Sequence, residues 1–279
     1  MHRIASLAFA VAAVGCKGSE RPPTPITTKI TLRYHPPAGA VYRYAMDQTA
    51  LFGSDSGVDT MGLNGLRVAF TQTVGTAGTD GVPITFTFDS TTVDSPMLNP
   101  DAARQVVDKL KSTRFTTTYD DHLRPRADAQ LPGLSPLVRD QLQAALQVAA
   151  PALPDQPVGI GDSWTNDMQL PVSGLGSPIT VHTRLTVKDI SVSRGDTIVR
   201  FNVETALPAE PMRLSFAGQQ FTIALKGAIT GEQTLSLTRG AVVSAALGGT
   251  MHVGVSGGPL GASGMKVRVQ QQGTLKLVS

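Results

Sequence analysis

The chain has 279 residues, a formal charge of +3 and a pI near 9.1, from 24 basic and 21 acidic side chains. So small an imbalance, with Lys and Arg scattered singly and no interleaved aromatic motif, excludes a clustered polynucleotide-binding surface. A single cysteine excludes an intrachain disulfide, and 28 Gly and 19 Pro among many Thr and Val point to strands joined by turns.

The first element is a short basic segment, Met1-His2-Arg3, followed by an apolar run from Ile4 to Val14 and then Gly15-Cys16. A run of 11 residues falls short of the ~20 that a spanning helix needs, and it suits the apolar region of a secretory signal. Ala13-Val14-Gly15-Cys16 resembles the lipobox of bacterial lipoprotein precursors, with Ala13 where leucine is commoner. The resemblance covers residues 1–16. It implies cleavage after Gly15, a diacylglycerol thioether on Cys16 and acylation of the new amino group. Lys17 rather than aspartate after the cysteine implies export to the outer membrane, facing the periplasm of a bacterial cell envelope. At about 0.8 kcal/mol per buried methylene, more than one acyl chain makes such an anchor stable. The membrane is thus one expected partner, reached through the N-terminal lipid, and nucleic acid is not.

Four regions follow: a signal over residues 1–15, a lipidated tether over 16–28, a β-rich first half over 29–157, and a β-rich second half over 158–279 that forms one compact unit with it. Residues 17–28, KGSERPPTPITT, are polar, proline-rich and without periodicity. Extended at ~3.3 Å per residue, they reach roughly 40 Å. Ile30, Leu32 and Tyr34 then alternate with Lys29, Thr31 and Arg33 as in a half-buried strand. Tyr42, Tyr44 and Met46 continue the pattern, a glycine-rich loop is expected over residues 53–65, and Leu66, Val68, Phe70 and then Val82, Ile84, Phe86, Phe88 resume it.

Two short helices are expected, at about 100–112 and 136–150. Asn99-Pro100 supplies a cap and a first-turn proline, and Ala103, Val106, Val107 and Leu110 form one face. Ser135-Pro136 repeats the device before Leu142, Ala145, Leu146 and Ala149. Between them, residues 114–119 and 123–126 read as strands around an Asp120-Asp121 turn. Beyond Met212 nearly everything alternates: residues 212–216, 221–225, 234–237, 241–255 and 266–278.

Gly161-Asp162-Ser163-Trp164 opens a strand after a proline-rich lead, as Gly39-Ala40-Val41-Tyr42 does 122 residues earlier. The fold class is therefore mainly β: antiparallel curved sheets or a half-barrel, in two related halves, with the two helices against the sheet. As a whole the layout resembles an uncharacterised class of β-rich bacterial lipoproteins. More loosely, it resembles the half-barrels of periplasmic lipoprotein carriers, which implies an apolar ligand.

No catalytic, cofactor-binding or metal-ligating set is assigned, and a non-enzymatic protein is expected. The Gly161-Asp162-Ser163-Trp164 block is similar to one in serine esterases, but no Asp-x-x-His follows near the C-terminus. Asp55 stands where the nucleophile elbow of 53–57 needs serine. Asp120-Asp121-His122 could offer three ligands to a cation, although turn chemistry alone explains such a pair. The glycines between 254 and 264 lead into a strand, not the helix that a phosphate cradle requires. Two roles remain: a structural or interaction lipoprotein meeting an envelope protein, or a carrier or sensor holding an apolar ligand or lipid in a curved β-sheet cavity, with hydrolase a distant alternative. A closely packed inner face favours the first and an apolar cavity the second.

Overall fold

Period-two alternation dominates this sequence, and strands that bury one face must pair side by side. The computed structural model describes residues 23–54, 60–94, 99–111, 113–126, 151–170, 179–208, 210–216, 219–261 and 264–279. Gly15, Cys16 and the helix expected at 136–150 lie outside these residues. The strands are β1 (Thr24–Pro25), β2 (Val41–Ser54), β3 (Thr60–Val74), β4 (Val82–Asp94), β5 (Arg114–Tyr119), β6 (Ser163–Leu170), β7 (Ile179–Ser193) and β8 (Asp196–Ala206). They continue with β9 (Met212–Phe216), β10 (Gln219–Ser236), β11 (Ala241–Gly257) and β12 (Met265–Leu277). All belong to one open antiparallel sheet in the order β1-β7-β8-β10-β11-β12-β2-β3-β4-β5, with β6 also on β7 and β9 on β10. Two meanders, β2 to β5 and β6 to β12, join where β12 pairs with β2.

The meanders open alike. Gly39 donates to Val74 O (2.9 Å) and Val74 N to Ala40 O (2.9 Å); Gly161 donates to Val187 O (2.8 Å) and Val187 N to Asp162 O (2.9 Å). Both glycines turn at positive φ, 79° and 89°, a conformation that other residues adopt only at a cost.

Helix α1 (Pro100–Lys111) starts where the cap was expected, with Ala103 N bonded to Asn99 O at 3.0 Å. Its apolar stripe sits against β4, where Leu110 is buried and Val106 half-buried in the core. At its far end Thr113 Oγ1 donates to Lys109 O.

Three expected elements differ. Residues 29–34 alternate and bury Leu32 and Tyr34, but form no ladder strand. They belong to a segment that runs between the sheet's two edges. Ile26 N bonds to Ile190 O near one edge, Ile30 bridges Val158 in mid-course, and Tyr34 N reaches Asp121 O at the other. Alternation reports two-sided packing, and a crossing segment has that as well as a strand. Residues 123–126 are likewise no strand. Asp120 Oδ1 accepts from the amides of His122 and Arg124, and Leu123 takes φ 59°, so the chain folds into a turn with one bridge from Pro125 to Tyr119. Finally, β2 and β3 run on to Ser54 and back from Thr60, through what reads as a loop, and residues 221–225 and 234–236 are parts of the single strand β10, with Leu237 in the turn after it. Glycines that suggest breaks there lie inside strands.

A candidate site on the uncharged inner face

Strand register places side chains in rungs across the sheet. The rung Trp164, Leu185, Val203, Gly231, Leu247, Gly273, Gln48, Leu66 is followed on one side by Val187, Phe201, Gln233, Ala245, Leu275, Met46, Val68, Thr91. Beyond these lie Val199, Tyr44, Phe70, Phe86 and Phe115. With Leu32 and Tyr34 from the crossing segment at 29–34, Tyr119 from β5 and Leu153 from a second crossing segment, they make the packed core. That second segment, residues 151–158, runs beside the first from the β5 turn towards β7. Rings meet closely there: Phe86 stacks on Phe115 at 4.8 Å, Tyr44 on Phe70 at 5.1 Å, and Trp164 stands edge-on to Phe201 at 5.5 Å. Trp164 is half-buried and donates to Ala152 O at 2.9 Å.

On the other side runs a rung of different character: Asn166, Thr183, Thr205, Ile229, Gly249, Gln271, Ala50, Asn64. It is polar but uncharged. Thr183 and Thr205 share a buried hydrogen bond of 2.9 Å, Asn166 Nδ2 donates to Ala152 O at 2.7 Å, and Asn64 Oδ1 is buried without a partner. Past it the inner face turns apolar again in the rungs Gly227, Met251, Val269, Phe52 and Leu225, Val253, Val267, then Ile223, Val255, Met265. Val269 is buried, most of the others are half-buried, and Met265 is 45% exposed.

Charge is sorted absolutely between the faces. Followed by register, every inward position described on β2 to β12 is uncharged, while Arg43, Asp47, Arg184, Lys188, Glu204 and Glu232 face outwards. The outer groove lined by Arg184, Thr186, Asn202, Glu204 and Thr230 is small, about 270 Å³, and charged.

Backbones approach closely where β10 pairs with β11. A Cβ on Gly231 would lie 2.0 Å from Ala246 O, and one on Gly249 would lie 2.1 Å from Ala228 O. Only glycine fits at these two places without moving the neighbouring strand.

No family model matches this chain, and no curated protein matches it in sequence. The fold is similar to that of lipovitellin, in a structure described for its lipid–protein interactions. The TM-score is 0.50 at 12% identity, with 88% of this chain covered and 25% of that one. The chain therefore spans about a quarter of that protein's chain, and the likeness is one of fold.

The other residues singled out in the sequence are placed as follows. Ser163 is exposed at the start of β6 and His252 is exposed on β11, with β7, β8 and β10 between them, so the fold does not bring the two together. His182 meets Asp167 at 2.7 Å on the outer face. Asp120, Asp121 and His122 do hold ligand atoms within 4.8 Å of one another, but their carboxylates are engaged locally. Asp120 caps two turn amides, and Asp121 contacts His122 Nδ1 at 2.7 Å and Arg33 Nε at 3.2 Å. On the far side of the imidazole, Nε2 lies 3.1 Å from Asp155, which also meets Arg124. With Leu153 N bonded to His122 O, this cluster ties the β5 turn to both crossing segments.

Burial pushes the phenol pKa values of Tyr34, Tyr44 and Tyr119 far up, and that of Tyr42 up against the counter-effect of Arg239. Asp162 is held below the usual carboxylate range by its hydrogen bond with Lys29, seconded by the Gly159 amide. Among the described residues the inner face of the sheet carries no acid–base pair of side chains; its chemistry there is apolar contact and neutral hydrogen bonding.

Sequence reading missed the polar rung because its members come from eight strands scattered between positions 50 and 271. Each looks like an ordinary polar residue until register aligns it.

Proposed function

We propose that this protein is a lipid-anchored envelope protein that holds an apolar ligand, a lipid, against the open end of its curved sheet. One observation carries the reading: an inner face without charge whose apolar rungs beyond the polar one stay half-buried, in contrast to the sealed core behind it. Apolar surface left uncovered on an uncharged face is what a ligand site of this class requires. The lipovitellin-like fold, from a protein described for its lipid–protein interactions, supports it. The anchor rests on Ala13-Val14-Gly15-Cys16, with residues 16–28 as tether, the outer membrane as destination and the two β-rich halves as one unit. The packed end supports a structural role for that part of the sheet, and the chemistry proposed is binding without catalysis.

Native mass spectrometry of the full-length protein extracted from membranes tests the ligand. The expected result is a releasable adduct of lipid mass beyond any covalent anchor. Protein carrying its anchor alone, even after incubation with mixed-lipid vesicles, would overturn the carrier reading. For the anchor, Cys16→Ser should abolish incorporation of labelled palmitate; label retained by the variant would refute it.

A further inference from the structure

Resting on that reading, we infer that the lipid enters head first and that its head is uncharged and carries a hydroxyl, as in a diacylglycerol. The polar rung lies between the packed core and the open apolar rungs, so a lipid following this surface sets its polar group deep and its chains outwards. At the β12–β2–β3 end of that rung stand Gln271 and Asn64, flanking Ala50, with Gln48 one rung further in, all half-buried. Adjacent strands are about 4.8 Å apart, so Gln271 and Asn64 start roughly 10 Å apart on either side of β2, and with Gln48 between their levels the three side chains converge on one glyceride head.

The charge of the head follows from what faces it. No cation or anion stands on the described inner face, so a phosphate or ammonium brought to this depth loses hydration and gains no counter-charge, a penalty far larger than that of a neutral group. The hydroxyl follows from Asn64, whose Oδ1 is buried without a partner. A buried acceptor left unpaired is costly, and a turn of the half-buried Asn64 side chain that presents it to a ligand donor removes that cost. A hydroxyl both donates and accepts, so it serves the amide in either of its two orientations. The ester carbonyls, which only accept, suit the NH₂ groups of Gln48 and Gln271. Past them, Phe52, Met251, Val253, Val267 and Val269 offer the chains a continuous apolar path.

The experiment uses the full chain in detergent with three probes bearing the same oleoyl chains: dioleoylglycerol, trioleoylglycerol and dioleoylphosphatidylglycerol. Competition against one fluorescent diacylglycerol gives relative affinities. The expected order is diacylglycerol over triacylglycerol by about tenfold, one hydrogen bond's worth, and over phosphatidylglycerol by about a hundredfold or more. Asn64→Leu should bring the diacylglycerol to triacylglycerol ratio close to one while leaving triacylglycerol binding in place. Should that variant fail to fold, Gln271→Leu gives the second readout, a smaller loss of affinity for both glycerides. Phosphatidylglycerol binding as well as diacylglycerol, or ratios unmoved in whichever variants fold, would overturn this inference and leave the apolar-ligand reading standing. Failure of all three probes to bind would overturn that reading itself.

Discussion

The two ends of the inner face are built from the same strands and by the same alternation, yet they reach different states. Behind the polar rung, Tyr44, Phe70, Phe86, Phe115, Val187, Phe201 and Leu235 are closed over by Leu32, Tyr34 and Leu153 from the crossing segments. Ahead of it, Phe52, Met251, Val253, Val267 and Ile223 are as apolar but only half-buried. Strand pattern makes both surfaces; covering segments make one of them a core. The packed core and the proposed ligand site are thereby placed on separate lengths of the same strands, and that separation can be attacked from either end.

The largest effect is expected from emptying the packed end. Phe201 is 0% exposed, and Phe201→Ala should cost about 3–5 kcal/mol in a denaturant titration. Val253→Ala, at the open end, should cost within about 1 kcal/mol but weaken uptake of a fluorescent lipid. Equal costs at the two sites would erase the distinction.

Alkali comes next, because the ionisable groups of the packed end are phenols. Tyr34, Tyr44 and Tyr119 have folded pKa values raised above the ordinary 10.0 by burial. Their neutral forms therefore favour the fold, fully below pH 10, and that contribution is lost as pH rises above it. Denaturant midpoints followed from pH 8 to 12 should hold and then fall steeply. A midpoint flat to pH 12 would contradict the burial of these rings.

A smaller effect is expected at the close backbone approach between the regions. Gly231→Ala must displace the Ala246 carbonyl, and such overpacking costs about 1–3 kcal/mol. It should also disturb lipid uptake, since Gly231 stands in the rung next to the polar one. Weakest of all is Asp162→Asn, which removes the exposed pair with Lys29. The carboxylate pKa is depressed in the fold, so its contribution is present above the usual value and lost as pH falls through the folded one. The variant should lose only part of the acid dependence of stability, with its neutral midpoint nearly unchanged.

Much of this architecture was legible in residue order. Alternation located the strands, Asn99-Pro100 located α1, and Gly39 and Gly161 marked two turns that the fold does make alike. Where reading failed, one residue type was serving two purposes. The alternation of residues 29–34 reflected a crossing segment with a core on one side. The glycines between 53 and 65 read as a loop because glycine weakens a strand, whereas Gly53, Gly62 and Gly65 lie inside β2 and β3. The inner site was not legible at all, because Asn64, Gln271 and Gln48 become neighbours only through the β12–β2 and β2–β3 pairings, and nothing local announces which strands will meet.

The close backbone approach at Gly231 and Gly249 also bears on how tightly the sheet constrains its own sequence. A shape specified by side chains demands particular atoms at many positions; one specified by missing atoms demands only that a few positions stay bare. Under that rule most of the sheet can change its residues freely while keeping its form. The likeness in fold to lipovitellin, over 88% of this chain at 12% identity, fits a form that sets few demands on its residues.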